Sequence, residues 1–441
     1  MTACRPLRRH DRGTTTSAAR TPTCTSNRLP LALVLRDRFY RAALLALLLS
    51  GMATSVAVPQ LTTFFVTDLR ATLPQAGLYY LTNVTAPVVG FALGRLSDRQ
   101  PDRLRLFRIG ALVGAAGWTA MGLATQLWMP FVISVLALGV AGAAGAQVYA
   151  AVRDELNRRP SGMDVELIST VRMGFTLGWV LGPVVGSVAG GFFGLRTVML
   201  ITAALSALQL VPMIGIKAPR FVAPAPAPVP TSADRHPPVS SRRAQLPLLS
   251  FCALVTVAAC GDTVKFAYLP LYMSQQLHLP AAVSGGVIAL QPVCELALMP
   301  LAARLAGRHG PMKIVMAGTV CAIAAHLCYA TSTSVVGLVA AQVLLSAMWA
   351  SMAGLGVSVA QDLYPAGVGL ASSTFMSSIL FASTVGGLLG SVFVSVLGVP
   401  GVFVVPAVLC TLALVGMALL ARRLGRRTAS ASELVDATAS A

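Results

Sequence analysis

Gly94-Arg95-Leu96-Ser97-Asp98-Arg99 and Ala303-Arg304-Leu305-Ala306-Gly307-Arg308 are the stretches whose reading decides the fold. Each is a short basic turn after a long apolar run, and they are separated by 303 − 94 = 209 positions. Other echoes keep nearly that offset. Leu73-Pro74-Gln75-Ala76 recurs as Leu279-Pro280-Ala281-Ala282 (279 − 73 = 206), and Gly186 and Gly194 recur as Gly390 and Gly398 (390 − 186 = 204). Their common order and spacing describe a chain made of two similar halves.

The apolar runs around these stretches are long enough to cross a bilayer, which takes roughly 20 residues per helix. They lie near 40–62, 76–97, 104–124, 127–150, 167–192 and 195–216, then near 247–273, 283–306, 312–330, 334–360, 367–396 and 400–421. The runs are continuous rather than alternating, which disfavours a β-barrel. The expected class is therefore an all-α polytopic membrane protein of twelve helices in two six-helix repeats. Residues 1–39 read as a disordered basic tail, 40–216 and 246–424 as the two bundles, 217–245 as a Pro/Ala-rich linker and 425–441 as a second tail.

Composition agrees. Of 441 residues, 56% are hydrophobic and 11% charged, against about 25% charged in a soluble domain. The net charge of +18 would suggest nucleic acid in a soluble protein. Here 29 of the 33 Lys and Arg fall in the tails, the linker and alternate loops. That pattern places both termini in the cytoplasm by the positive-inside rule, and predicts contact with anionic membrane lipid rather than nucleic acid. One chain holding both repeats predicts a monomer.

Two parallel six-helix repeats place a solute cavity at their interface near mid-membrane. With its loop Gly94-x-x-x-Asp98-Arg99, the chain resembles the major facilitator superfamily over roughly 40–424. More narrowly, several stretches resemble the bacterial sugar efflux transporter family. They are Ala151-Val152-Arg153-Asp154-Glu155, Val171-Arg172 leading to Trp179-Val180-Leu181-Gly182-Pro183, Leu269-Pro270-Leu271-Tyr272, Glu295, and Gln361-Asp362-Leu363-x-Pro365. The resemblance implies export of sugars or sugar-like solutes from a bacterial cytoplasm, driven by a proton gradient with no bound cofactor. It also implies gating roles for Asp98, Arg99, Arg153, Arg172 and Asp362. Span four lacks the arginine typical of proton-driven drug exporters, offering Gly142, Gly145 and Gln147 instead, which lowers the multidrug alternative.

Four charges fall within spans: Arg172, Asp262, Lys265 and Glu295. Each costs about 2.5–3.5 kcal/mol on insertion scales, so such groups usually pair or line water. Asp262 and Lys265, at i and i+3, share a helix face and can form a structural ion pair or line the cavity. Glu295 has no basic residue one turn away, and Gln291 lies one turn before it. It reads as a proton carrier, an acceptor from sugar hydroxyls or a hydrogen-bonded packing residue. Gln60, Asn83 and Gln147 offer directional bonds to a neutral polyol, or serve as helix–helix contacts. The ladder Gly174, Gly178, Gly182 and Gly186 leaves a smooth stripe for a neighbouring helix, and Pro183 permits a kink; this resembles the span-five motif of superfamily exporters.

Other functions lack their residues. There is no Gly-x-x-x-x-Gly-Lys-Ser/Thr phosphate loop and no Cys/His metal spacing. His326 lacks a partner by spacing. A membrane enzyme would need a convergent acid–base set, and the sequence shows none. A receptor of this fold would bind solute without flux.

Overall fold

A computed structural model describes residues 30–99, 102–142, 144–159, 163–216 and 242–439. Among them every element is helical. A short helix, Pro30–Arg36, leads into α1 (Arg38–Thr67), α2 (73–99), α3 (Arg103–Gly122), α4 (Trp128–Arg158), α5 (Glu166–Phe193) and α6 (Leu195–Met213). The second half holds α7 (Ala244–Gln276), α8 (Ala281–His309), α9 (Pro311–Thr331), α10 (Val335–Leu363), α11 (Pro365–Gly401) and α12 (Val404–Arg426). Local chemistry starts several of these helices. Asp37 accepts from the Phe39 amide at 2.8 Å, Asp102 accepts from the Leu104 amide at 2.9 Å, and Thr72 with Gln75 forms a reciprocal capping box.

Ten of the helices are long and apolar enough to cross a membrane, against the twelve expected. The two outside that group are α2 and α3. Arg105, Arg108 and four glycines dilute α3, while α2 passes through a 3₁₀ stretch at Tyr79–Val84. The expected boundaries also differ at the ends. Pro30–Arg36 is helical within the expected disordered tail, residues 242–245 of the expected linker already belong to a helix, and the last helix continues to Ala439. Apolar side chains in the first segment and the absence of proline in the last allow this. Residues 1–29 and 217–241 lie outside the described residues.

The halves repeat one packing scheme. In the first, α5 packs on α1 and α6 on α3; in the second, α11 packs on α7 and α12 on α9. Glycines on α5 and α11 allow the match. A β-carbon on Gly186 would strike the Val56 backbone of α1, and one on Gly386 would strike the Cys260 backbone of α7. Gly194 and Gly398 both end their helices at positive φ, 83° and 64°, which glycine adopts without the steric cost of a side chain.

Between halves, α5 packs against α8 and α11 against α2. Six helices in each half bring the described residues Arg38, Ile216, Ala244 and Arg426 to one end of the bundle, the linker end. At the opposite end, buried Val56, Leu61, Phe64, Tyr79 and Tyr80 join the core of the second half. At the linker end the first half has its own cluster, including Leu47, Leu104, Phe107 and Val148. The core is thus shared at the far end and separate near the linker.

Candidate functional site

Three intramembrane charges meet on the second half, and the fourth faces them from the first. Lys265 Nζ, 1% exposed, donates to Asp262 Oδ1 at 2.6 Å and to Gln291 Oε1 of α8. Its ammonium lies 3.8 Å from the Phe266 ring centroid. Ser346 of α10 braces these contacts by donating to the Gln291 carbonyl at 3.2 Å and the Gln342 carbonyl at 2.6 Å. Glu295, half-buried one turn below Gln291, lies within electrostatic reach of Asp262, Lys265 and Arg172. Arg172 is itself within reach of Tyr149 on α4. Two acids and two bases, drawn from both halves, keep a mid-membrane group electrically balanced.

This group lies below a sealed end. Trp179 of α5 meets Phe266 of α7 with ring centroids 5.8 Å apart. Asn83 Nδ2 donates to Ser383 Oγ at 2.6 Å, Ser391 Oγ to the Pro74 carbonyl at 2.6 Å, and Tyr268 Oη to the Leu73 carbonyl at 3.5 Å. Gly285 of α8 fits against Pro183 and Ser187 of α5, and Gly387 of α11 against Tyr80 of α2. Asn83 is ten residues beyond Leu73, so the seal reaches about 15 Å down from the far end. Toward the linker the buried cluster of Leu47, Leu104, Phe107 and Val148 holds first-half residues alone among the described residues, so no shared core joins the halves there.

The remaining expected residues take varied positions. Gln60 is buried and donates to Ser187 Oγ at 2.9 Å within the first half. Gln147 is buried on α4. The glycine ladder seats α5 on α1: Gly174 lies against Leu44, Gly178 against Leu48 and Met52, Gly182 against Ser55, and Gly186 against Val56. Ser55 Oγ adds a bond to the Gly178 carbonyl at 2.9 Å.

At the linker end, Arg153 is exposed. Glu155 is engaged by Arg158 at 2.5 Å and Arg159 at 3.5 Å. Those residues lie one turn away on the same helix. Asp362 is exposed and lines a pocket with His309 and Lys313. The side chains of Asp98 and Arg99 lie outside the described residues. Among the described residues no group of His, Cys, Asp and Glu could hold a metal, and neither ring nitrogen of buried His326 has a partner.

Sequence reasoning missed Phe266, Ser383, Ser391 and Ser187. Serine and phenylalanine are ordinary in apolar helices, so only the placement of the opposing helix singles these out.

Comparison with known proteins agrees with this architecture. The Major Facilitator Superfamily profile matches residues 43–290 and 251–439. A Deinococcus radiodurans protein with a provisional sugar efflux transporter name is 29% identical, over 86% of this chain and 97% of its own. Sugar efflux transporter A of Dickeya chrysanthemi is 26% identical, over 87% of this chain and 93% of its own. The solved structure of the nucleoside transporter NupG superposes with a TM-score of 0.68 at 14% identity, covering 88% of this chain and 98% of that one. With both halves matched by one profile and the helices arranged as in a solved transporter, the chain belongs to the Major Facilitator Superfamily.

Proposed function

We propose that this protein exports sugars or sugar-like solutes across a bacterial cytoplasmic membrane by alternating access, in exchange for protons, as a monomer with both termini in the cytoplasm. The observation that carries the reading is the meeting of Arg172 from one half with Glu295, Asp262 and Lys265 from the other, below the seal at the far end. The names of the relatives supply the solute class. The linker end carries the arginine-rich loops, so the positive-inside rule makes it cytoplasmic, and the conformation is then inward-facing.

In that state a solute enters between the separated parts of α2, α5, α8 and α11. It meets Arg172, Glu295 and the Trp179–Phe266 pair, which offer a donor, an acceptor and a flat apolar surface. Lys265 is already held by Asp262 and Gln291, so it orients the acid cluster rather than binding free solute. A carboxylate at Glu295 accepts charge-assisted bonds from sugar hydroxyls, and its protonated form accepts more weakly. Binding of solute and of proton then oppose each other, which is the linkage an antiporter needs. Separating Asn83 from Ser383 and Ser391 from Pro74 opens the outer end, and the two closures are the bistable element. No chemical conversion is involved and the proton gradient is the energy source.

The test is accumulation of radiolabelled sugar by energised everted vesicles containing the protein. Accumulation above the external concentration that an uncoupler abolishes is expected. Equilibration without accumulation contradicts the coupling, and transport of lipophilic drugs alone moves the chain to the multidrug alternative.

A further inference from the structure

At the linker end of the second half, away from the central charged group, a cavity of about 320 Å³ lies between α8, α9, α10 and α12. Gly310, at φ 88°, reverses the chain between α8 and α9 and so brings His309 and Lys313 to the same cavity. Asp362, at the end of α10, also lines it, and Met312, Leu363 and Leu424 add apolar surface. Lys313 and Asp362 are exposed, and among the described residues neither forms an ion pair. His309 is tied to its own helix, its Nδ1 donating to the Leu305 carbonyl at 3.2 Å. An acid and a base that share a cavity yet stay apart suit a ligand carrying both signs at separate ends. A simple ion of either sign would be attracted by one and repelled by the other.

Depth in the membrane narrows the class. The α9 helix has 21 residues, about 31 Å at ~1.5 Å each, which matches the ~30 Å hydrocarbon core of a bilayer. Its first turn, and the cavity with it, therefore lies at headgroup level in the leaflet on the linker side. The volume corresponds to about eleven waters at ~30 Å³ each, room for one small zwitterionic headgroup and the glycerol that carries it.

We propose that this cavity holds a phospholipid whose headgroup ends in a primary ammonium, of the phosphatidylethanolamine type. The ammonium donates to Asp362, and the phosphate takes a charge-assisted bond from Lys313. The glycerol and first methylenes lie against Met312, Leu363 and Leu424. A lipid seated there joins the ends of α9, α10 and α12, so its binding stabilises the second half by linkage. The site rests on the membrane fold and not on the export reading.

Native mass spectrometry of the detergent-purified full chain tests it, with phosphatidylethanolamine, phosphatidylcholine, phosphatidylglycerol and soluble phosphoethanolamine as probes. In the wild type, phosphatidylethanolamine is expected to bind at least about fivefold tighter than phosphatidylcholine, whose methylated ammonium has no N–H to donate. It is expected to exceed phosphatidylglycerol, which has no ammonium, by a similar factor. Asp362→Asn is expected to bring phosphatidylethanolamine within about twofold of phosphatidylcholine. Lys313→Gln is expected to weaken both lipids by about fivefold and to keep their ratio, which supplies the test from the opposite charge should the first variant misfold. Equal wild-type affinities, or a preference that survives Asp362→Asn, overturn the proposal. Phosphatidylglycerol bound tightest makes the cavity a plain anion site and overturns it as well. Phosphoethanolamine bound as tightly as the lipid overturns the lipid as the source of the headgroup.

Discussion

Replacing Asp262 with Asn leaves the Lys265 ammonium, 1% exposed, with the Gln291 carbonyl oxygen in place of its counter-ion. At 2.6 Å and an effective dielectric near 20, the lost attraction is about 6 kcal/mol in gross terms. The desolvation of the two ions offsets most of that while the pair is intact. Removing one partner leaves the desolvation of the other uncompensated, which costs about 3–5 kcal/mol. Exchanging both, as Asp262→Asn with Lys265→Met, removes both desolvation penalties. Methionine also refills the space of the lysine stem beside Phe266. The double variant is therefore expected near wild-type stability while Asp262→Asn alone is not.

The assay is thermal unfolding of the detergent-purified protein, followed by the monodisperse fraction after heating. With each kcal/mol moving the midpoint by about 2–4 °C in a unit of 150–250 residues, the single variant falls by roughly 6–20 °C. A single variant that unfolds within about 2 °C of the double refutes the claim that Lys265 depends on Asp262.

Two further outcomes follow from the helix–helix contacts. A β-carbon at Gly182 would fall on the Ser55 hydroxyl, with the Val56 amide 3.0 Å away, so Gly182→Ala is expected to cost ~1–3 kcal/mol by overpacking α5 against α1. Gly90→Ala, facing open space, is expected to cost less than ~0.5 kcal/mol; equal midpoints for the two variants would remove the close-approach role of the ladder. In Asn83→Cys/Ser383→Cys, oxidation is expected to cross-link α2 to α11 and stop transport, with recovery on reduction. A cross-linked protein that still transports contradicts the opening of that seam.

The fold was legible because membrane helices are long, apolar and repeated. The Gly194/Gly398 echo has the same positive-φ backbone geometry in both halves, whereas Gly186 meets the Val56 backbone and its echo Gly390 the Tyr268 ring, the backbone contact of the second half falling to Gly386. The α3 helix was placed correctly yet falls short of the apolarity of its neighbours, since glycine and Arg105 and Arg108 dilute it. The Asp262–Lys265 pair could be read from i,i+3 spacing alone. The partners of Glu295 could not, because Arg172 comes from the other half, 295 − 172 = 123 positions away. For the same reason Asn83 and Gln60, read as solute contacts or as helix–helix contacts, find their partners Ser383 and Ser187 only once the helices are assembled. An amide in a membrane helix signals a hydrogen bond, and its partner is fixed only when the helices are assembled. The glycine ladder was the exception among site features, since its spacing names the face and a missing side chain needs no partner to be recognised.

The central claim is that Glu295 links solute movement to proton movement. Everted vesicles carrying a pH-sensitive dye, given sugar with wild type or with Glu295→Gln, test it most directly. The account predicts sugar-dependent proton release from the energised wild-type vesicles and loss of that release in Glu295→Gln. Proton release of equal size and rate in the two proteins would contradict it.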